Sequence, residues 1–122
     1  MLRRTALAAL FVLGLAAVPA HAGSQLDFTV VNKTGYGVSE LYVAPSASTD
    51  WEENLLEETL ENNESIKITF SKKQEHIAKW DIMITFVDDD SKVYWKGYKL
   101  SEIQKLTLKY DRKAGTTTAI AE

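Results

Sequence analysis

The chain has 122 residues, no cysteine, and a formal charge of −3 at pH 7 from 14 Lys plus Arg against 17 Asp plus Glu. That balance repels nucleic acid and anionic membrane surfaces on average. The lack of cysteine excludes disulfides, thiol chemistry, thiolate metal sites and haem attachment through cysteine.

The chain opens on a positive segment, Met1-Leu-Arg-Arg4, followed by an apolar run from Thr5 to Pro19 and the small-x-small triplet Ala20-His21-Ala22. This order predicts a signal peptide over residues 1–22, cleaved after Ala22, and an exported protein, periplasmic or secreted. A membrane anchor needs roughly 20 apolar residues; this run is shorter and holds Gly14 and Pro19. No cysteine follows for lipid attachment, and the apolar motif expected behind a twin-arginine pair is missing after Arg3-Arg4. General secretion is expected, with no membrane span after cleavage. Loss of Arg3 and Arg4 leaves 12 basic against 17 acidic side chains, a charge of −5, on a single domain from Gly23 to Glu122. A domain of this size buries roughly 60–70% of its unfolded surface, enough for a core without staples.

Strand signals dominate from there on. Leu26, Phe28 and Val30 alternate with Asp27 and Thr29 up to the turn cluster Asn32-Lys33-Thr34-Gly35. Val38 to Val43 predicts a second strand, with Leu41 and Val43 on one side, stopped by Pro45 and a polar loop over 46–50. Trp51, Leu55, Leu56 and Leu60 fit helical spacing behind Thr49 or Asp50 as a cap, which predicts a short helical turn over 51–56 and an extended arm to Leu60. Ile66 to Phe70 follows the Asn62-Asn63 turn as a half-buried strand, and Trp80, Ile82, Ile84 and Phe86 give the strongest two-residue period. Asp88 to Ser91 reads as a turn, Val93 to Tyr98 as an aromatic strand, and 100–103 as a second short helical turn. Leu106 to Tyr110 and Thr116 to Ile120 complete the set around a turn at Asp111 to Gly115. The expectation is all-β: an antiparallel β-sandwich of about seven short strands with one or two short helical turns.

Three groups of residues invite a chemical reading. Asp88, Asp89 and Asp90 are the sharpest acidic cluster, and a calcium ion wants six to eight oxygens of this kind. Three successive aspartates do not all point one way on a tight turn, however, and the plain alternative is a solvated hairpin. The aromatics Tyr36, Trp51, Tyr94 and Tyr98 are candidates for an exposed surface that meets a partner, since large aromatics dominate interfaces. Trp80 reads as core, and Trp95 is expected on the face opposite Tyr94 and Tyr98. His76, the one histidine of the exported domain, sits in a polar stretch with no recognisable partner for general-base work. The lysines between 72 and 109 mostly alternate with apolar residues, as on the wet face of a sheet. The triplets Asn32-Lys33-Thr34 and Asn63-Glu64-Ser65 match a glycosylation pattern, discounted here because the leader is of bacterial type.

From Asp27 onward the chain resembles a family of small exported bacterial domains of unknown function. The segments Phe28-Thr-Val-Val-Asn-Lys-Thr-Gly-Tyr36, Leu41-Tyr-Val-Ala-Pro-Ser46 and Trp51 carry the resemblance, continued by Trp80-Asp81-Ile82, the acidic turn at Asp88 and Leu106-Thr-Leu-Lys-Tyr-Asp111. Members are often labelled as argininosuccinate lyase, a label that a β-domain of this size does not fit. The resemblance implies a small β-sandwich without an established activity, and cysteines in some members at the places of Ala78 and Ser101.

The expected function is a non-catalytic binding or interaction module of the cell envelope that meets a protein or envelope component, with no cofactor. A calcium-dependent module using Asp88, Asp89 and Asp90 is the alternative, and a small hydrolase built around His76 the remote one.

Overall fold

The computed structural model describes residues 23–122; the expected signal peptide lies outside them. Seven strands are present among the described residues: β1 (Phe28–Lys33), β2 (Val38–Pro45), β3 (Ser65–Ile68), β4 (Trp80–Phe86), β5 (Lys92–Tyr98), β6 (Lys105–Asp111) and β7 (Thr116–Ala121). They form a four-stranded sheet in the order β3-β1-β6-β7 and a three-stranded sheet in the order β2-β4-β5. No helix among the described residues is long and apolar enough to cross a membrane.

Alternation in the sequence builds the core directly. Phe28, Val30, Leu106, Leu108 and Ile68 line the inner face of the first sheet, and Leu41, Val43, Trp80, Ile82, Ile84 and Phe86 that of the second, all in one buried cluster. Each side chain fully removed from water contributes about 1.5–3 kcal/mol before entropy is counted. Trp80 is 1% exposed, packs edge-on against Phe70 at 5.0 Å, and donates its indole N–H to the Ile77 carbonyl at 3.2 Å. The polar end of the indole is thereby satisfied inside the core.

One polar residue belongs to that core. Asn32, next to last in β1, has no exposed surface. Its amide donates to the carbonyls of Tyr36 at 2.7 Å and Leu60 at 2.9 Å, and its oxygen accepts from the N–H and hydroxyl of Thr34. The turn expected at Asn32 to Gly35 is therefore held by a buried, fully paired side chain that ties β1 to the arm at Leu60.

Three expectations need correction. The strands are not all antiparallel: β1 runs parallel to β6, from Thr29↔Lys105 to Lys33↔Lys109. A two-residue period is the same in both pairings, so alternation carries no sign of strand direction. The helical turn expected over 51–56 does not form, and residues 51–56 are irregular. Their backbone turns to β2 instead: Leu55 N–H bonds the Leu41 carbonyl at 2.8 Å, and the Asn54 side-chain oxygen accepts from Leu41 N–H and Leu56 N–H. Glu52, at φ 67°, also lies outside the right-handed helical region. Third, Tyr98 shares a face with Trp95. Trp80 pairs with Tyr98 but Ile82 with Trp95, so Asp81 opposes two residues, Lys96 and Gly97. Gly97 adopts φ 77°, as a bulge glycine does, and the extra residue turns Tyr98 inward beside Trp80.

The short helical turn expected near residue 100 is present as a single 3-10 turn, Leu100–Glu102. A second lies at Lys72–His76, started by a capping box between Ser71 and Gln74.

Candidate functional site

Strand β4 is buried along nearly its whole length, on both faces. The inner face is explained by the core. The outer face carries Asp81, Met83 and Thr85, and what surrounds them defines the candidate site.

Cross-strand register sets three rows on this face. Tyr42, Met83 and Tyr94 are directly paired across β2, β4 and β5. Tyr94 is 50% exposed, yet Met83 between the two tyrosines is only 6% exposed. At the Tyr94 end of this row the polar loop brings in Trp51, with its ring 6.0 Å from that of Tyr94 at an interplanar angle of 43°. Glu40, Thr85 and Lys92 form the second row: Thr85 Oγ1 donates to Glu40 Oε1 at 2.9 Å, and Lys92 Nζ lies 2.9 Å from Thr85 Oγ1 and 3.5 Å from the carboxylate. The Thr85 hydroxyl bond, joined by the Lys92 charge and a hydrogen bond from Tyr42, holds the Glu40 carboxyl below its usual range. In the third row Asp81 accepts from Ser46 Oγ at 2.6 Å and from Gly97 N–H at 3.0 Å, pinning the bulge to the start of the loop.

The loop that delivers Trp51 is built from its own polar side chains. Ser48 and Asp50 exchange bonds, Asp50 Oδ1 accepts from Glu52 N–H at 3.0 Å, and Asn54 then anchors the chain on β2. Such side-chain to backbone bonds replace secondary structure locally. Beside the loop lies an open cleft of about 470 Å³ between the sheets, with an apolar floor that includes Val43, Phe70 and Trp80 and a rim of Asp50, Glu52 and Glu53.

The other expected residues fall elsewhere. Tyr36 packs edge-on against Phe86 and Tyr110, and its hydroxyl accepts from the Arg112 guanidinium at 3.4 Å. That bond raises the guanidinium pKa further. Tyr98 is half-buried against the core, and burial pushes its hydroxyl pKa up. Of the four aromatics, then, Trp51 and Tyr94 come together, and Tyr36 and Tyr98 each belong to a separate packing group. Asp88, Asp89 and Asp90 occupy the β4–β5 hairpin, where the Ser91 hydroxyl, joined by the Ser91 N–H at 3.0 Å, holds the Asp89 carboxyl below its usual pKa, while Asp90 takes φ 59°. Among the described residues no three His, Cys, Asp or Glu side chains are gathered as a metal ion requires. His76 is exposed in its 3-10 turn, with Nδ1 2.7 Å from the Lys73 carbonyl oxygen, and lines no part of the cleft.

Tyr42 and Met83 were not among the expected site residues. The signal for Tyr42 was its place between inward Leu41 and Val43; for Met83 it was the apolar run Ile82-Met83-Ile84, which breaks polar alternation as a strand covered on both faces does. No protein-family model matches the chain, and neither does any curated protein or solved structure.

Proposed function

We propose that this chain is an exported, non-catalytic interaction module that meets a protein or another component of the cell envelope through the outer face of the β2-β4-β5 sheet. The observation that carries the reading is the Trp51 ring packed against Tyr94, the half-exposed end of the Tyr42-Met83-Tyr94 row. An indole on a bonded loop and phenol rings on strands lose little freedom on binding, and tryptophan and tyrosine are among the commonest anchors of interfaces. The Glu40–Lys92 pair beside the row supplies a polar rim. Tyr36 and Tyr98 are not part of this face. The family resemblance adds nothing to this reading, since it rests on short sequence segments alone. Export rests on the leader sequence, and the check is the amino terminus of the protein recovered from the envelope or the medium, expected at Gly23.

The test of the face is photo-cross-linking in the cell, with a photoreactive phenylalanine replacing Tyr94 in one strain and Lys109 in another. One recurring adduct at position 94, lost on Trp51→Ala while the variant still melts cooperatively, supports the face. Equal adducts at both positions, or an adduct indifferent to Trp51→Ala, refute it.

A further inference from the structure

A sheet edge presents unpaired N–H and C=O groups, and exported domains defend such edges with lysines, bulges, short strands or a covering segment. Three of the four edges here are defended. The arm from Asn54 to Leu60 covers β2, bonding Leu41 and pairing Leu60 with Val38. Strand β5 carries Lys92, Lys96 and the Gly97 bulge. Strand β3 has four residues, one of them Lys67.

Strand β7 has none of these devices. It reads Thr-Thr-Thr-Ala-Ile-Ala over Thr116–Ala121, with no charge or proline, and its register with β6 is unbroken from Leu106↔Ala121 to Asp111↔Thr116. Lys105 and Glu122 exchange both backbone bonds, at 3.0 and 2.9 Å. Bonded pairs alternate along an antiparallel ladder, so Thr116, Thr118 and Ile120 direct their backbone groups to β6. Thr117, Ala119 and Ala121 direct theirs outward, where no neighbouring strand lies among the described residues. Ile120 is 43% exposed on the outer face of the same strand.

We propose that a second copy of this chain pairs along β7, antiparallel about a two-fold axis through Ala119, and joins two four-stranded sheets into one. In this register Ala119 faces its own copy and Thr117 faces Ala121 of the other chain, so every outward N–H and C=O of the three residues is paired. The inner-face side chains that meet across the axis are the small ones, Ala119, Ala121 and Thr117, so nothing obstructs the approach. On the outer face Thr118 of each copy covers Ile120 of the other. A centre at Thr118 would leave Ala121 opposite Gly115, inside the β6–β7 turn, and lose part of the ladder. The contact is self-complementary, as a two-fold interface must be. No charge within β7 opposes it, although each exported chain is acidic overall. The interface is one strand pair and its rim, at the small end of the size range, so association is concentration-dependent.

The test is sedimentation equilibrium of the purified exported protein from low to high micromolar concentration, with hydrogen exchange at both ends. The apparent mass should climb toward twice that of the monomer, and the Thr117, Ala119 and Ala121 amides should gain protection as it does. Ala119→Pro removes the central outward donor without removing a bond to β6, a placement that edge strands tolerate. Ile120→Lys instead sets a charge opposite Thr118. Both should stay monomeric throughout, and if the proline variant fails to fold, Ile120→Lys decides alone. Trp51→Ala should dimerise as the parent does, which separates this contact from the aromatic face. A parent that is monomeric at every concentration overturns the proposal, as does an Ile120→Lys variant that dimerises unchanged.

Discussion

Asn32 is the residue whose replacement tests the fold most sharply. Asn32→Leu keeps the approximate volume but deletes four hydrogen bonds to a side chain with no exposed surface. Two of the abandoned partners are still served, since Leu60 O keeps Val38 N–H at 2.9 Å and the single Thr34 hydroxyl proton, released from Asn32, turns to Tyr36 O at 3.0 Å. Thr34 N–H loses its acceptor. With about 1 kcal/mol net per bond and a further penalty for a bare buried donor, the loss comes to about 2–4 kcal/mol. For a domain of this size that lowers Tm by roughly 10–25 °C. Asn32→Asp makes a different prediction, because a carboxylate oxygen would then face the carbonyls that the amide now donates to. Burial raises the pKa of such an acid above its unfolded value of about 3.9. The unfolded chain then releases its proton first, so the deficit of this variant grows as pH rises from about 4 toward the folded pKa. Urea melts of parent and both variants across that range measure it. A Leu variant within about 0.5 kcal/mol of the parent, below the cost of even one lost bond, would refute the account of Asn32, as would an Asp variant whose deficit ignores pH.

Three shorter predictions follow from the same geometry. Gly97→Ala meets no atom within 4 Å, so its cost is that of a left-handed backbone alone, about 1–2 kcal/mol in a denaturant melt; an unchanged midpoint would contradict the bulge that turns Tyr98 inward. Glu40 and Glu75 both titrate below their usual range, Glu40 chiefly through the Thr85 hydroxyl and Glu75 chiefly through Gln25 N–H. Lowered folded pKa values give stability that is present above the unfolded pKa, about 4.3, and lost as pH falls through the folded ones, so Tm should drop in acid and Glu40→Gln should drop less steeply than the parent. Melting curves with calcium and with chelator should overlay, since a ligand of the native state must raise Tm; a reproducible rise with calcium would restore Asp88, Asp89 and Asp90 as ligands.

How much of this was legible in the sequence depends on the physics of each element. All seven strands were, because a half-buried strand writes its inner face as every second residue: Trp80, Ile82, Ile84 and Phe86 do so, and all four are in the core. Strand direction was not, since parallel β1–β6 pairing leaves the same alternation. The face of Tyr98 was hidden by one glycine, because a single bulged residue reverses everything beyond it on the strand. The loop over 51–56 misled for an energetic reason. Its leucines are spaced as on a helix, but Leu55 and Leu56 find burial beside β2, and Asn54 offers two backbone donors an acceptor that an isolated helical turn of six residues cannot match. That competition also creates the candidate site. Had the segment been helical, Trp51 would have been placed by the helix; as an anchored irregular loop it sets the indole against Tyr94 of the outer face. The residue that alternation could not place is therefore the one that the proposed interaction face depends on.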